Sequence, residues 1–139
     1  GDGPEMEYLK KYSSERGLCE RVKFKGMIEN VQKYYQKSKI FLFASESEGF
    51  PNALAEAMSF SLPSIAYNCI AGPSDLIEDG VNGYLVPLNN KVEYKEKFEA
   101  LLSDKELRTK MGTIARQSIK NFDREAIAEK YLKFMLNEY

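Results

Sequence analysis

Residues 45–58 read SESEGFPNALAEAM and follow an apolar, strand-like segment, IFLFA, at residues 40–44. The Gly-Phe-Pro-Asn run at residues 49–52 predicts a tight turn that opens into a helix. Pro51 suits the first helical position, where its missing N–H costs nothing. A helix N-terminus that follows a strand can bind an anion, because its first N–H groups lack partners and its dipole favours negative charge.

Two carboxylates flank this predicted anion site. Glu48 precedes the turn, and Glu56 lies eight residues later, inside the helix. We interpret both as acceptors of hydrogen bonds from sugar hydroxyls on either side of a phosphate, which suggests a nucleotide-sugar as the ligand. The plain alternatives are a loop carboxylate without a role for Glu48 and a solvated helix residue for Glu56.

The motif EGFPNALAEAM at residues 48–58 resembles the signature of family 4 retaining glycosyltransferases, in which two glutamates stand eight residues apart. Further motifs resemble the same family in the same order along the chain. They are GDGP at 1–4, VKFKG at 22–26, LPSIA at 62–66, GPS at 72–74 and IEDGVNGYLVP at 77–87. The resemblance implies the C-terminal, donor-binding half of a GT-B fold, which consists of two Rossmann-like domains.

The resemblance also implies roles for individual residues. Glu48, the implied catalytic residue, would contact the donor hexose and stabilise positive charge at the anomeric carbon, while Glu56 would bind the nucleotide ribose. Backbone groups of the turn would face the diphosphate and hexose, and the loop at residues 26–28 would hold the base. These donor-binding segments comprise Gly49, Phe50, Pro51, Asn52, Ala53 and Leu54, and Gly26, Met27 and Ile28.

For two of the loops and for the aromatic residues, purely structural roles stay open as alternatives to ligand binding. Residues 26–28 could form an ordinary strand-to-helix loop, and residues 72–74 a plain turn in which Ser74 caps a helix. We expect Tyr34 and Tyr35 to serve packing rather than to stack on a ligand. Cys69 is expected to be a small buried residue.

The implied reaction is transfer of a sugar from a nucleotide-diphosphate donor, UDP-linked by analogy, to a glycan or lipid-linked acceptor with retention. Synthesis of bacterial surface polysaccharide is the implied setting. We expect neither a cofactor nor a metal, because helix amides and basic side chains neutralise the leaving diphosphate. Two other hypotheses stay open: an epimerase or phosphorylase of the same fold, and a non-catalytic Rossmann-like module that binds a partner.

Composition excludes several classes of protein. A chain of 139 residues with 43% hydrophobic content can form one domain with a core, and a net charge of −1 provides no basic surface for nucleic acid. The sequence has no histidine, no zinc-site spacing and no apolar run of membrane-spanning length. Cys19 and Cys69 are too few for a disulfide framework. We expect a cytoplasmic protein, with the full enzyme able to associate peripherally with the inner face of the membrane.

Measured against the family, residues 1–139 are expected to form a single partial Rossmann-like domain. The first strand-helix-strand unit and the whole acceptor domain would be absent. We therefore expect no transferase activity from this chain alone. An exposed sheet edge could also pair with another copy.

Alternation of helix and strand predicts an α/β fold, a Rossmann-like parallel sheet flanked by helices on both faces, with further helices after residue 90. Predicted strands are 21–24, 40–44, 64–67 and 84–86, and predicted helices are 5–16, 31–37, 51–60 and 74–78. Three residues are expected at helix ends. Gly17 would end the first helix, Ser103 would begin a capping box, and Asp123 would cap the last helix beside a staple of Phe122 and Ile127.

Overall fold

The computed structural model describes residues 2–136 apart from the side chain of Arg124, so Gly1 of the GDGP motif and residues 137–139 lie outside the described part. The chain divides into two compact units, Gly1–Tyr34 and Tyr35–Tyr139, and each is described by itself.

The first unit contains one long helix, α1 (Met6–Glu15). It ends as predicted at Gly17, which has a φ of +65°. The N–H of Leu18 donates to the carbonyl of Ser13 at 2.9 Å, and that of Gly17 to the carbonyl of Ser14 at 3.0 Å. This pair of hydrogen bonds is a Schellman motif, which requires a left-handed residue that glycine adopts without strain.

The strand predicted at residues 21–24 is wrong, since these residues form no strand in the structure. The N–H groups of Arg21 and Val22 both donate to the carbonyl of Leu18, at 2.9 and 2.8 Å. They serve the turn that follows α1 and are therefore not available for a ladder. The side chains of Val22 and Phe24 are exposed.

The second unit is built on a sheet of three parallel strands, β1 (Phe41–Phe43), β2 (Ser64–Asn68) and β3 (Gly83–Pro87), in the order β1-β2-β3. Short helix α2 (Gln32–Tyr35) precedes β1, while α3 (Asn52–Ser59) and α4 (Pro73–Leu76) connect the strands. The register pairs Phe41 with Ser64 and Ser64 with Gly83. The carboxyl ends of all three strands therefore meet at one edge of the sheet, and the predicted parallel α/β architecture is confirmed.

Helices cover both faces of this sheet. Successive residues of β2 point to opposite faces, so Ile65 and Ala66, both fully buried, belong to two different apolar clusters. The first cluster comprises Phe43, Leu54, Met58, Ala66, Leu76, Ile77, Ala115 and Ile119. The second comprises Ile65, Tyr67, Val86, Leu101 and Met111.

The strand predicted at residues 40–44 exists, but it is less buried than its apolar sequence indicates. Leu42 is 47% exposed because β1 is an edge strand. Leu42 borders a cavity of about 330 Å³, also lined by Tyr67, Lys91, Tyr94, Lys95 and Phe98. Cys69 is buried as expected, and neither it nor Cys19 forms a disulfide.

The C-terminal helices are α5 (Lys91–Ser103), α6 (Lys105–Ser118) and α7 (Arg124–Met135), with a 3-10 turn at Ile119–Phe122. The capping box predicted to start at Ser103 is wrong, because the helix N-cap lies one residue later and Leu107, three residues after it, has no side-chain acceptor. Asp104 is the N-cap, and its Oδ1 accepts a hydrogen bond from the Leu107 N–H at 2.9 Å. The Ser103 hydroxyl instead donates to carbonyls of the preceding turn of α5. Asp123 holds the N-cap position of α7, but its side chain makes no capping hydrogen bond.

Candidate functional site

The loops that follow β1 and β2 run side by side at the carboxyl edge of the sheet. A parallel bridge between Ser47 and Ile70 extends the pairing of these strands. Beyond it, Gly72 has a φ of +100°, and a Cβ atom there would lie 2.7 Å from the Gly49 carbonyl oxygen and 2.8 Å from Cδ of Pro51. The two loops can therefore approach this closely only because residue 72 lacks a side chain.

The turn at residues 49–52 delivers the N-terminus of α3 to this edge. Pro51 is the N-cap, with φ −81° and ψ 75°, and not the first helical residue as predicted. The N–H groups of Leu54 and Ala55 both donate to the Pro51 carbonyl, at 3.0 and 3.1 Å, and that of Asn52 donates to the Phe50 carbonyl at 2.9 Å. Since α3 has no side-chain cap, the positive end of its dipole is left to interact with a ligand.

The alternative in which Ser74 caps a helix is wrong. Gly72 is the N-cap of α4, and Pro73 is its first residue. Proline suits that position because its ring fixes φ near the helical value. The Asp75 N–H donates to the Gly72 carbonyl at 3.0 Å, so the backbone alone closes this turn.

Glu56 is exposed on α3, and its carboxylate has a protein partner. The hydroxyl of Tyr35 donates to Oε2 of Glu56 at 3.3 Å and lies 3.4 Å from the Ala53 carbonyl oxygen. Tyr35 itself is only 7% exposed. Burial raises the pKa of Tyr35, and the neighbouring Glu56 carboxylate raises it further. The hydroxyl is therefore held in its protonated form, able to donate to Glu56.

The remaining predicted residues of the turn divide into packing and surface positions. Pro51 and Leu54 are buried, whereas Gly49, Asn52 and Ala53 are exposed. Phe50 is 46% exposed, and its ring centroid lies 6.0 Å from that of Phe122. Glu48 is half-buried directly after the Ser47 bridge. The structure thus brings residues 48–56 together around the uncapped end of α3.

The predicted base-binding loop at residues 26–28 belongs to the first unit. Gly26 has a φ of +61°, and the Met27 N–H donates to Oδ2 of Asp2 at 3.3 Å. The side chain of Met27 is 82% exposed. A cavity of about 370 Å³ in this unit is lined partly by Lys23, Phe24, Lys25, Gly26 and Ile28. The Met27 amide is thus already engaged by a carboxylate of the same unit.

The hydrogen bonds of two side chains in this region, Tyr35 and Asn82, are not indicated by the sequence pattern. The Tyr35–Glu56 hydrogen bond joins residues far apart in the chain, and the sequence pattern predicts only packing for Tyr35. Asn82 is 3% exposed; its Nδ2 donates to the Leu76 carbonyl at 3.0 Å and to the Ser118 hydroxyl at 2.9 Å. Its Oδ1 accepts the Glu78 N–H at 2.8 Å. The side chain of Asn82 therefore links the end of α4 to α6 by hydrogen bonds.

Within the described part of the chain, no group of three or more His, Cys, Asp or Glu side chains is placed to hold a metal ion. A search of the same residues finds no helix whose length and apolar character would let it cross a membrane.

Residues 1–118 match the family model of the glycosyl transferases group 1. The chain belongs to this family. The resemblance drawn from its motifs is thereby confirmed. This group 1 chain is 33% identical over 131 residues, 94% of its length, to an uncharacterized glycosyltransferase of Haemophilus influenzae. It is 32% identical over 135 residues, 97% of its length, to an alpha-1,4-N-acetyl-D-galactosaminyltransferase of Campylobacter jejuni. The full name of that enzyme includes the saccharide GalNAc-alpha-(1->4)-GalNAc-alpha-(1->3)-diNAcBac-PP-undecaprenol.

A solved structure has the same fold. It is a mutant of TarM from S. aureus in complex with Fondaparinux, alpha-GlcNAc-glycerol and UDP, and it is similar to this group 1 chain with a TM-score of 0.88 and 31% identity. The similarity covers 96% of this chain and 27% of TarM. The chain likewise spans 37% of the length of each of the two curated relatives.

Proposed function

We propose that this chain forms the donor-binding part of a retaining glycosyltransferase that moves a sugar from a UDP-linked donor to a glycan or lipid-linked acceptor. The observation that carries the proposal is the placement of Glu48 and Glu56 around the uncapped N-terminus of α3 at the carboxyl edge of the sheet. Ligands of open parallel α/β sheets bind at this edge.

The donor diphosphate would lie against the N-terminal turn of α3. Backbone amides and the helix dipole favour an anion there, and the proposal includes no metal ion or cofactor. The close approach of Gly72 to Gly49 and Pro51 fixes the turn at the start of α3. The presence of UDP in the similar TarM structure supports uracil as the base.

The two carboxylates would then have different roles. Glu56 accepts hydrogen bonds from the ribose, and Glu48, the catalytic residue of the proposal, contacts the hexose and stabilises positive charge at its anomeric carbon. The acceptor oxygen bonds to that carbon on the face from which the diphosphate leaves, and the leaving oxygen takes the acceptor proton. The configuration is therefore retained.

The base would contact the loop at residues 26–28 of the first unit. Because the Met27 amide already donates to Asp2, the base must either displace that carboxylate or use other backbone groups of the loop. In this proposal, the acceptor would bind to parts of the full-length relatives that this chain does not span. Transfer would serve surface polysaccharide synthesis on the cytoplasmic side of the membrane, and this chain alone would be inactive.

An amide NMR titration with UDP, GDP, ADP and UDP-N-acetylglucosamine tests the proposal. We expect UDP to shift resonances of residues 48–56 and Glu56→Ala to weaken its binding about tenfold or more, because a hydrogen bond to a charged group contributes about 1.5–3 kcal/mol. Glu96→Ala removes an exposed glutamate of α5 and should leave binding unchanged. A folded chain that binds UDP equally well with and without the Glu56 carboxylate would contradict the proposal.

A further inference from the structure

We propose that Tyr35 is a positioning residue of the nucleotide site, which holds the Glu56 carboxylate in the orientation that receives the ribose hydroxyls. This inference rests on the function proposed above, since it gives Glu56 the ribose as its ligand. Tyr35 would act without touching the nucleotide, because only 7% of its surface is exposed.

The ring of Tyr35 is fixed by its aromatic neighbours. Its centroid lies 5.8 Å from that of Phe41 in an edge-to-face arrangement and 5.6 Å from that of Phe60. Phe41 belongs to β1, and Phe60 follows the last turn of α3. The hydroxyl is therefore held at a constant place relative to the strand and the helix that flank the turn of the candidate site.

A tyrosine hydroxyl has one proton to donate, and two acceptors lie near it. The Ala53 carbonyl oxygen is 3.4 Å away, and Oε2 of Glu56 is 3.3 Å away. A carboxylate is the stronger acceptor because its charge strengthens the hydrogen bond. The Tyr35 proton therefore goes to Glu56 and restrains one of its two oxygens, which leaves the other oxygen free to accept from a ligand.

This restraint matters because Glu56 is exposed on its helix. A free glutamate on a helix surface samples several rotamers, and ordering it on ligand binding costs conformational entropy. The hydrogen bond from a buried, rigid donor reduces that cost before the nucleotide arrives. The same preorganisation lowers the cost of binding in other ligand sites.

The test compares Tyr35→Phe with the wild-type chain, using UDP and 2′,3′-dideoxy-UDP as probes in isothermal or NMR titrations. Phenylalanine keeps the ring and its packing and removes only the hydroxyl. We expect Tyr35→Phe to weaken UDP binding about threefold to tenfold. Binding of the dideoxy probe, which lacks the ribose hydroxyls, should not change.

A double-mutant cycle with Glu56→Ala separates positioning from a general effect. Once Glu56 is absent, Tyr35→Phe should cause no further loss of UDP affinity. The control is Tyr94→Phe, since the Tyr94 hydroxyl donates to the Ile65 carbonyl at 2.9 Å and takes no part in the site. It should leave UDP affinity unchanged.

The outcomes distinguish this inference from the function on which it rests. If the wild type does not bind UDP, or Glu56→Ala binds it as well as the wild type, the proposed function and the inference both fail. If Glu56→Ala weakens the binding of UDP but not of the dideoxy probe, while Tyr35→Phe binds UDP as tightly as the wild type, only the inference fails. An equal loss of affinity for both probes in Tyr35→Phe would also overturn the inference, because a disturbed fold would produce that result.

Discussion

Replacement of Gly72 by alanine should destabilise the second unit strongly. The residue has a φ of +100°, and the added Cβ would lie 2.7 Å from the Gly49 carbonyl oxygen and 2.8 Å from Cδ of Pro51. The backbone conformation alone costs an L-residue about 1–3 kcal/mol. Overpacking against backbone and a proline ring, which cannot rotate away, adds about 1–3 kcal/mol. We therefore expect a loss of about 2–6 kcal/mol in the free energy of unfolding.

Gly80→Ala is the matched control for this prediction. Gly80 has a φ of +74°, but no heavy atom lies within 4 Å of the Cβ that alanine would add. The loss in the free energy of unfolding of Gly80→Ala should therefore be the conformational cost alone, about 1–2 kcal/mol. Urea unfolding followed by circular dichroism gives both values. Equal losses in the two variants would refute the argument that close approach of the two loops depends on Gly72.

Two further predictions concern buried polar groups of the second unit. Asn82→Ala should lower the free energy of unfolding by about 2–4 kcal/mol, because the Leu76 carbonyl and the Glu78 N–H lose buried partners. Urea unfolding measures this loss. The control Asn68→Ala alters an exposed residue and should leave the free energy of unfolding almost unchanged. Burial raises the pKa of Tyr94 to about 12, so its contribution to stability is complete below pH 10 and is lost as the pH rises towards 12. Tyr94→Phe should flatten the fall in unfolding free energy over that range, and a fall as steep as in the wild type would contradict the assignment.

Helix ends are predictable from this sequence to within one or two residues. The end of α1 at Gly17 is predicted correctly, because a left-handed glycine is the commonest way for a helix to end. The predictions for Pro51 and Ser103 are each one residue off, since proline is compatible with two adjacent N-terminal positions and Asp104 competes with Ser103 for the same orphan amides. Local chemistry thus identifies a helix end but does not choose between neighbouring capping residues.

Burial of the strands is less predictable. The apolar segment at residues 40–44 forms a strand, but its sequence does not reveal that β1 lies at an edge and leaves Leu42 half exposed. Residues 21–24 read RVKF, an alternation of polar and apolar side chains, and form no strand; the N–H groups of Arg21 and Val22 donate instead to the turn that follows α1. An apolar alternation predicts a strand only where a partner and free N–H groups are both present.

The candidate site is predictable only in its local part. The turn and the glutamate pair lie within one short motif, and the structure gathers them around the N-terminus of α3. The hydrogen bonds from Tyr35 to Glu56 and from Asn82 to Ser118 join distant segments, so no spacing in the sequence could indicate them. A local motif can therefore be recognised in the sequence, whereas contacts between distant segments require the fold.

The order of strands in the sheet is the same as their order in the chain. During synthesis, β1 can pair with β2 as soon as β2 has emerged, and β3 then adds to the free side of β2 without displacing any earlier strand. The first apolar cluster, however, includes Ala115 and Ile119, which emerge later. A nascent chain that stops after β3 would possess all three strands described above and still expose part of its core, so α6 must leave the ribosome before the unit can become stable.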